Sequence, residues 1–342
     1  MYLFLDRSQL SPEVWNSFVH DHRFGWWWHR AEWLDYCQAY SGSSDASFAV
    51  MEGETIVAIC PAVLGINQDF VGGGAPLGQP LLCQGNALVS AALWGHLGLK
   101  ARLAQVSKGW YRSLPQTSMT GDYRTLPFEF PRSTQTDPIL TRILPVHAGV
   151  ESSLWKGIRK SYRGEIRQME HEYRIEIIYG KDYWVDVMRE LHDRAAGRET
   201  RPRSTWAMMA RWMRDKRAVG VVAYARSSQD PVGYSYFLIY KDQAYYASSA
   251  GAAQSLLQWT FIQWFRAQKG TYYELGWQTY PTDPKYQNIA FFKRGFGGRD
   301  FPISFYRPRF GEPIPERDQS AGGGSDRHLD QGLSKDLGSQ PA

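Results

Sequence analysis

The stretch "GVVAYARSSQDPVGYSYFLIYKDQAYYASSA" (Gly220–Ala250) decides how the rest of the chain is read. Three runs rich in Val, Tyr, Phe and Ala are separated by two polar breaks, Ser-Ser-Gln-Asp-Pro and Lys-Asp-Gln. Such breaks between β-forming runs predict strands joined by tight turns. Downstream, in "QSLLQWTFIQWFRAQKG" (Gln254–Gly270), the apolar period changes to three or four. Leu257, Phe261, Trp264 and Gln268 share one face, while Gln254, Gln258 and Arg266 point elsewhere, so an amphipathic helix closed by Gly270 is expected. "TYYELGW" (Thr271–Trp277) reads as the next strand and "PISFY" (Pro302–Tyr306) as the last. Between them stands "NIAFFKRGFGG" (Asn288–Gly298). Lys293 and Arg294 suit a buried strand poorly, and Gly295, Gly297 and Gly298 suit a helix poorly. The mixture fits a place where backbone comes close to something and a cation meets it.

Toward the N-terminus the same order recurs. "SSLWKGIRKSYRGEIRQMEHEY" (Ser152–Tyr173) predicts one long helix, followed by helices over Tyr183–Ala196 and Thr205–Asp215 that lead into the meander. In the first half, "SPEVWNSFVHDH" (Ser11–His22) has a Ser-Pro start and "RAEWLDYCQAY" (Arg30–Tyr40) a helical pattern. Strands over Ser47–Met51 and Thr55–Leu64 follow, joined by a Glu-Gly turn. Helices followed by a strand meander thus occur twice, which predicts a duplicated unit. The fold class is α/β (α+β): two tandem domains with mixed, mostly antiparallel sheets flanked by helices. The first domain spans 1–145 and the second 146–310. The Pro/Thr-rich stretch Ser107–His147 is expected as an irregular linker beside a shared cleft. The tail 311–342, with no aromatic residue and many Gly, Ser, Asp and Gln, is expected to be disordered.

The totals bound the function. Of 342 residues, 43% are hydrophobic, so each half has material for a core. The net charge of +5 makes anionic partners favourable but falls short of a dedicated nucleic-acid binder. Cys37, Cys60 and Cys83 are far apart, which argues against a disulfide framework and structural zinc and for a reducing compartment. No metal is expected. Asp6 and Arg7 interrupt any signal-peptide core, and no stretch approaches the ~20 apolar residues that span a bilayer, so a cytoplasmic protein is expected.

Two clusters stand out before any relative is considered. Trp26, Trp27 and Trp28 cannot all be buried by one helix face, so Trp27 and Trp28 are candidates for a cleft that stacks a sugar or nucleobase. Arg159, Arg163 and Arg167 form one stripe of the long helix, with Lys156 and Lys160 nearby. That stripe is either a solvated face or a wall for a diphosphate, a tRNA acceptor stem or an anionic lipid.

Meander, helix, strand, the Phe-Phe-Lys-Arg segment and a final strand are, in that order, similar to the core of an N-acyltransferase domain of the GNAT type. Five pieces, "LWKGIRKSYRGEIRQMEHEY", "ELHDRAAGRETRPRS", "DPVGYSYFLIYKDQAYYASSA", "LLQWTFIQWFRAQKGTYYELGW" and "NIAFFKRGFGG", resemble in order and spacing the Fem-type transferases. The resemblance runs from about Leu10 to Pro308 and is to the compact type, without a coiled-coil arm. It implies transfer of an acyl or aminoacyl group to an amine of a cell-envelope glycan such as a peptidoglycan or polysaccharide precursor, and since no Ser/His/Asp or Cys/His arrangement stands out, no covalent enzyme intermediate is expected. It further implies that Phe292 and Lys293 line the substrate channel, with Lys293 holding a phosphate or developing negative charge and Arg294 as the rival cation. Glu274 occupies the family's acidic position on the central strand, as base or amine-orienting group, or else as the partner of an Arg. Arg198 matches an Arg that faces a substrate diphosphate, but Pro202 stands where a Tyr follows it. Gly251 and Ala252 occupy the place of the cofactor diphosphate loop as a degenerate match. No tightly bound cofactor is implied. The donor is acyl-coenzyme A or aminoacyl-tRNA, and the acceptor an anionic small molecule or lipid-linked glycan. Peripheral contact with the inner face of the membrane goes with a lipid-linked acceptor. From a different class comes a non-catalytic reading, in which a Trp- and Tyr-lined cleft simply binds an anionic glycan.

Overall fold

The structure is a computed structural model, and it describes residues 2–64, 80–82, 87–106, 111–112, 135–147, 151–278 and 284–310. Cys83 and the tail 311–342 lie outside the described residues, as does most of the expected linker. The chain divides into two compact units, the second holding Pro138–Ile303 and the first holding the preceding residues up to 112 and the end of the last strand from Ser304.

In the first unit, β1 (Leu3–Asp6) is followed by α1 (Pro12–Asp21), α2 (Ala31–Ser41), β2 (Ser44–Asp45), β3 (Phe48–Glu52), β4 (Thr55–Cys60), β5 (Val63–Leu64), β6 (Leu81–Leu82), α3 (Ala87–Leu103) and β7 (Tyr111–Arg112). Ser11 caps α1 by accepting a hydrogen bond from the Val14 N–H (3.3 Å), and Gly42 closes α2 in the left-handed region. The sheet runs β1-β3-β4-β6 with antiparallel pairs. The strand expected over Thr55–Leu64 is two strands, because Pro61 has no N–H to continue a ladder.

The tryptophan cluster corrects an expectation. Trp26, Trp27 and Trp28 are 5%, 0% and 1% exposed and form the interior of the first unit. They do not share a helix face. Trp26 is extended, and Trp27 and Trp28 begin a 3₁₀ turn, where successive side chains diverge by about 120° and each enters a different part of the core. Trp27 and Trp28 are therefore not a stacking surface.

The second unit contains β8 (Gln135–Pro145) from Pro138 on, α4 (Glu151–Gly157), α5 (Lys160–Glu172), β9 (Tyr173–Ile178), α6 (Val185–Ala196), α7 (Arg203–Arg214), β10 (Ala218–Ala225), β11 (Pro231–Tyr240), β12 (Gln243–Gly251), α8 (Gln254–Ala267), β13 (Tyr272–Trp277), α9 (Pro284–Arg294) and β14 (Arg299–Arg307) as far as Ile303. Its strands lie in the order β14-β8-β13-β12-β11-β10-β9. The expected meander is β10-β11-β12, and β9 pairs antiparallel on its outer side. The α/β class with mixed, mostly antiparallel sheets holds.

Four local differences have physical causes. Residues 135–145, read as linker, form β8, which pairs with β13 because Ile143 and Leu144 find a buried place there. The long helix is two, broken at Ile158 and Arg159, where Arg159 donates its N–H to the carbonyl of Gly295 (2.7 Å) and Ile158 is buried. Gln258 of α8 faces the core rather than solvent, and its Oε1 accepts a hydrogen bond from the Tyr273 hydroxyl. Lys293 and Arg294 are the last turn of a helix. Gly297 and Gly298 beyond it have φ of +85° and +76°, and a Cβ at Gly298 would stand 2.4 Å from the Ile143 carbonyl oxygen.

Candidate functional site

Two parallel strands part at the centre of the second unit. β12 and β13 are ladder partners through Gln243–Tyr272, Ala244–Tyr273 and Tyr245–Glu274 only. Beyond that point β12 continues against β11, and β13 continues against β8. The facing edges no longer satisfy one another, and main-chain groups along them need other partners. Both strands also bulge here, with Ala247 the extra residue on β12 and Leu275 on β13.

Side-chain direction separates two faces of the sheet. Ala244, Tyr246, Tyr273 and Leu275 enter the apolar core shared with α5 and α8. Tyr245 and Glu274 therefore point to the opposite face, which α6, α7 and α9 cover. On that face Lys293, 0% exposed, reaches in from α9. A Cβ at Gly276 would stand 3.2 Å from Lys293 Nζ and 3.5 Å from the Tyr245 hydroxyl oxygen. The missing side chain of Gly276, at φ +89°, is what admits Lys293 Nζ against the strand. Two residues earlier, buried Glu274 accepts a 2.6 Å hydrogen bond from the buried Thr141 Oγ1 on β8. Gln278 Nε2 donates to the carbonyls of Gly276 (2.9 Å) and Trp277 (2.8 Å) and holds the end of β13.

Farther along the same face runs a chain of buried polar groups. Arg201, stacked over Trp206 at 4.8 Å, donates to Ser248 Oγ (3.4 Å). Ser248 Oγ lies 2.9 Å from the Tyr234 hydroxyl, which lies 2.7 Å from His192 Nδ1. Burial, and secondarily the nearby Arg201 charge, drive the His192 pKa down to about 3, so its imidazole is neutral near neutral pH. Behind the sheet, burial pushes the Tyr246 phenol up to about 12 and Tyr273 well above its ordinary value, so both remain hydroxyl donors.

The residues expected from sequence are distributed unevenly around this centre. Lys293 and Glu274 come together at the bulge of β13. Arg294, beside Lys293, is exposed and donates to the Gln278 carbonyl (3.3 Å). Phe292 packs against Tyr162 and Phe296, with ring centroids 5.8 and 5.1 Å away, and anchors α9 to α5. Arg159 stands at the α4–α5 junction, where it meets α9 through the Phe291 ring (3.7 Å) and carbonyl (3.1 Å) rather than the Glu274 side chain, while Arg163 belongs to α5, which packs on α8. Arg198 is exposed, with its guanidinium on the Glu199 carbonyl (3.3 Å), whereas Arg201, three residues on, is the arginine that enters the interior. Gly251 and Ala252 make a tight turn on β11. A Cβ at Gly251 would stand 2.2 Å from the Val232 carbonyl oxygen, and the Ala252 N–H donates to that same carbonyl (2.9 Å). Gln254 Nε2 donates to the Ala250 (2.9 Å) and Gly251 (3.2 Å) carbonyls.

Thr141, His192, Tyr234, Tyr245 and Ser248 were not foreseen. A signal for Ser248 existed: "YYASSA" places serines in an otherwise apolar strand. Thr141 gave none, because its strand read as linker.

No protein-family model matches the chain, and no curated protein matches it in sequence. Solved structures do match in fold. FemX superposes with a TM-score of 0.62 at 10% identity, over 89% of this chain and 96% of that one. L-PGS from Bacillus licheniformis gives 0.56 at 12%, over 89% and 94%. A tandem GNAT protein from the clavulanic acid biosynthesis pathway gives 0.51 at 14%, over 92% and 100%. The Fem-type and GNAT-like architecture expected from the sequence is the architecture these structures share with this chain.

Proposed function

We propose that a chain with the fold of FemX and tandem GNAT proteins, and with Lys293 and Glu274 buried where β12 and β13 part, is a transferase. It moves an acyl group from an activated donor to an amine of a cell-envelope glycan or its nucleotide- or lipid-linked precursor. The observation that carries this reading is the placement of Lys293 Nζ against Gly276, beside the parted strand edges, with a buried carboxylate two residues away. The neutral amine attacks the acyl carbon, the new C–N bond forms, and the donor's C–O or C–S bond breaks. Negative charge that develops on the acyl oxygen or leaving group is met by the Lys293 ammonium. The amine's proton passes to the Glu274 carboxylate, held in place by Thr141, and from there to the leaving group. No covalent enzyme intermediate is needed.

One observation favours aminoacyl-tRNA over acyl-coenzyme A as the donor. At the Gly251–Ala252 turn, where a coenzyme diphosphate would lie, the Ala252 N–H is committed to the Val232 carbonyl (2.9 Å), which takes one donor out of the cradle a diphosphate needs. Labelled acetyl-coenzyme A and labelled aminoacyl-tRNA should each be offered with nucleotide-linked and lipid-linked muropeptide acceptors. Transfer of label from tRNA that disappears in Lys293→Met supports the reading. Transfer from coenzyme A alone would reverse the donor, and no transfer in any combination would overturn the reaction itself.

A further inference from the structure

Phe291 is the most exposed large apolar side chain among the described residues of the second unit, at 59%. It projects from the last turn of α9, two residues before Lys293. On a helix that spacing is about 200°, so one side chain points out and the other into the site. Around Phe291 the α4–α5 junction is strongly basic. Ser152–Gly164 contains Lys156, Arg159, Lys160 and Arg163 and no acidic residue. Lys156 and Lys160 are exposed, and Arg159 and Arg163 half-buried. The Arg159 guanidinium lies 3.7 Å from the Phe291 ring centroid and donates to the Phe291 carbonyl (3.1 Å), so the cation and the ring are one surface. The flanking acids are engaged by α8: Glu165 accepts from Ser255 Oγ (2.9 Å), and Glu151 takes Gln263 (2.7 Å) and Arg266 (3.6 Å). Glu165, and Glu170 further along α5, keep their charge and partly offset the patch, which stays net basic because Ser152–Gly164 itself carries four cations.

From this geometry we infer that Phe291 and the basic α4–α5 junction dock on an anionic phospholipid surface. The ring enters the headgroup boundary, and Lys156, Arg159, Lys160 and Arg163 meet the lipid phosphates. A nucleic-acid strand would use the same cations, but its bases would compete with Arg159 for the Phe291 ring. The use of this surface, though not its existence, rests on the lipid-linked form of the proposed acceptor. Docking would bring a headgroup-borne amine beside α9, whose inner side carries Lys293.

The test is sedimentation of the full chain with vesicles of phosphatidylcholine alone and of phosphatidylcholine mixed with phosphatidylglycerol, which reads binding independently of turnover. Expected is binding to the anionic vesicles alone, released by salt. Each cation near an anionic leaflet strengthens partitioning about five-fold, so Lys156→Gln/Lys160→Gln should weaken it about 25-fold. Phe291→Ser should weaken it several-fold at unchanged urea midpoint. The inference is overturned if anionic vesicles fail to bind at low salt, or if Phe291→Ser binds like the parent. It is also overturned if tRNA binds the patch while vesicles do not. Loss of transferase activity with vesicle binding intact would instead count against the proposed reaction alone.

Discussion

Replacing His192 by Asn should flatten the acid sensitivity of this protein. His192 is 2% exposed, its Nδ1 lies 2.7 Å from the Tyr234 hydroxyl, and its pKa is driven down to about 3 by burial and the Arg201 charge. Its unfolded value is about 6.5. The folded pKa is the lower one, so between about pH 6.5 and pH 3 the unfolded chain binds a proton that the folded chain refuses. Stability is full above the unfolded value and falls as pH drops, by about 1.4 kcal/mol per unit. At about pH 4.5, two units below 6.5, His192 alone should have cost about 2.7 kcal/mol. Asn cannot ionise, yet its Oδ1 occupies the place of Nδ1 and accepts from Tyr234. The variant should be less stable than the parent at neutral pH by about 1–3 kcal/mol, from imperfect filling of the ring's space. That gap should close by about 2.7 kcal/mol on acidification. Urea midpoints followed by tryptophan fluorescence at a series of pH values would show it, since every other titrating group is common to both chains and cancels in the difference. Parallel stability curves for parent and variant would refute the reasoning, because a histidine that protonates freely in the fold leaves no such slope.

Three further outcomes are expected. Lys293→Met keeps the volume of the side chain and removes its charge, so turnover should fall by about 10² to 10³ with donor affinity much less affected; an unchanged kcat would remove Lys293 from the chemistry. Gly276→Ala forces a Cβ into a φ of +89° and within 3.2 Å of Lys293 Nζ, and should cost about 1–3 kcal/mol of stability in urea unfolding while displacing the ammonium and lowering kcat. Trp27→Ala, which empties a fully buried site in the first unit, should cost about 3–5 kcal/mol; a normally stable variant with impaired glycan binding would restore the cleft reading of that residue.

Much of the fold was legible because its signals are local. The β10-β11-β12 meander announces itself by β-forming runs between polar turns, and α8 by a change of period with Gly270 at its end. What failed was non-local. Residues 135–145 are rich in Pro and Thr and look irregular, yet Ile143 and Leu144 are buried by pairing with β13, more than a hundred residues away. The tryptophans misled for a related reason. A helix face was assumed, and the chain adopts an extended residue followed by a 3₁₀ turn, whose wider angular step lets three consecutive indoles be buried at once.

The site was legible in residue type but not in direction, and α9 shows why. Phe291, Phe292, Lys293 and Arg294 are consecutive, and at about 100° per residue each looks a different way. Phe291 faces outward under Arg159, Phe292 packs on Tyr162, Lys293 enters the sheet beside Gly276, and Arg294 returns to the surface. The sequence places two cations side by side, and only the phase of the helix separates them. That phase is set by Tyr162, whose ring sits where a Cβ at Gly295 would come within 2.1 Å of it. A larger residue at Gly295 would push α9 off α5 and shift Lys293 along β13. Burying an ammonium completely costs several kcal/mol unless its surroundings compensate. The phase of α9 therefore decides which of two adjacent cations the site receives: Lys293 is turned inward beside Gly276, and Arg294, one step away, is left in water.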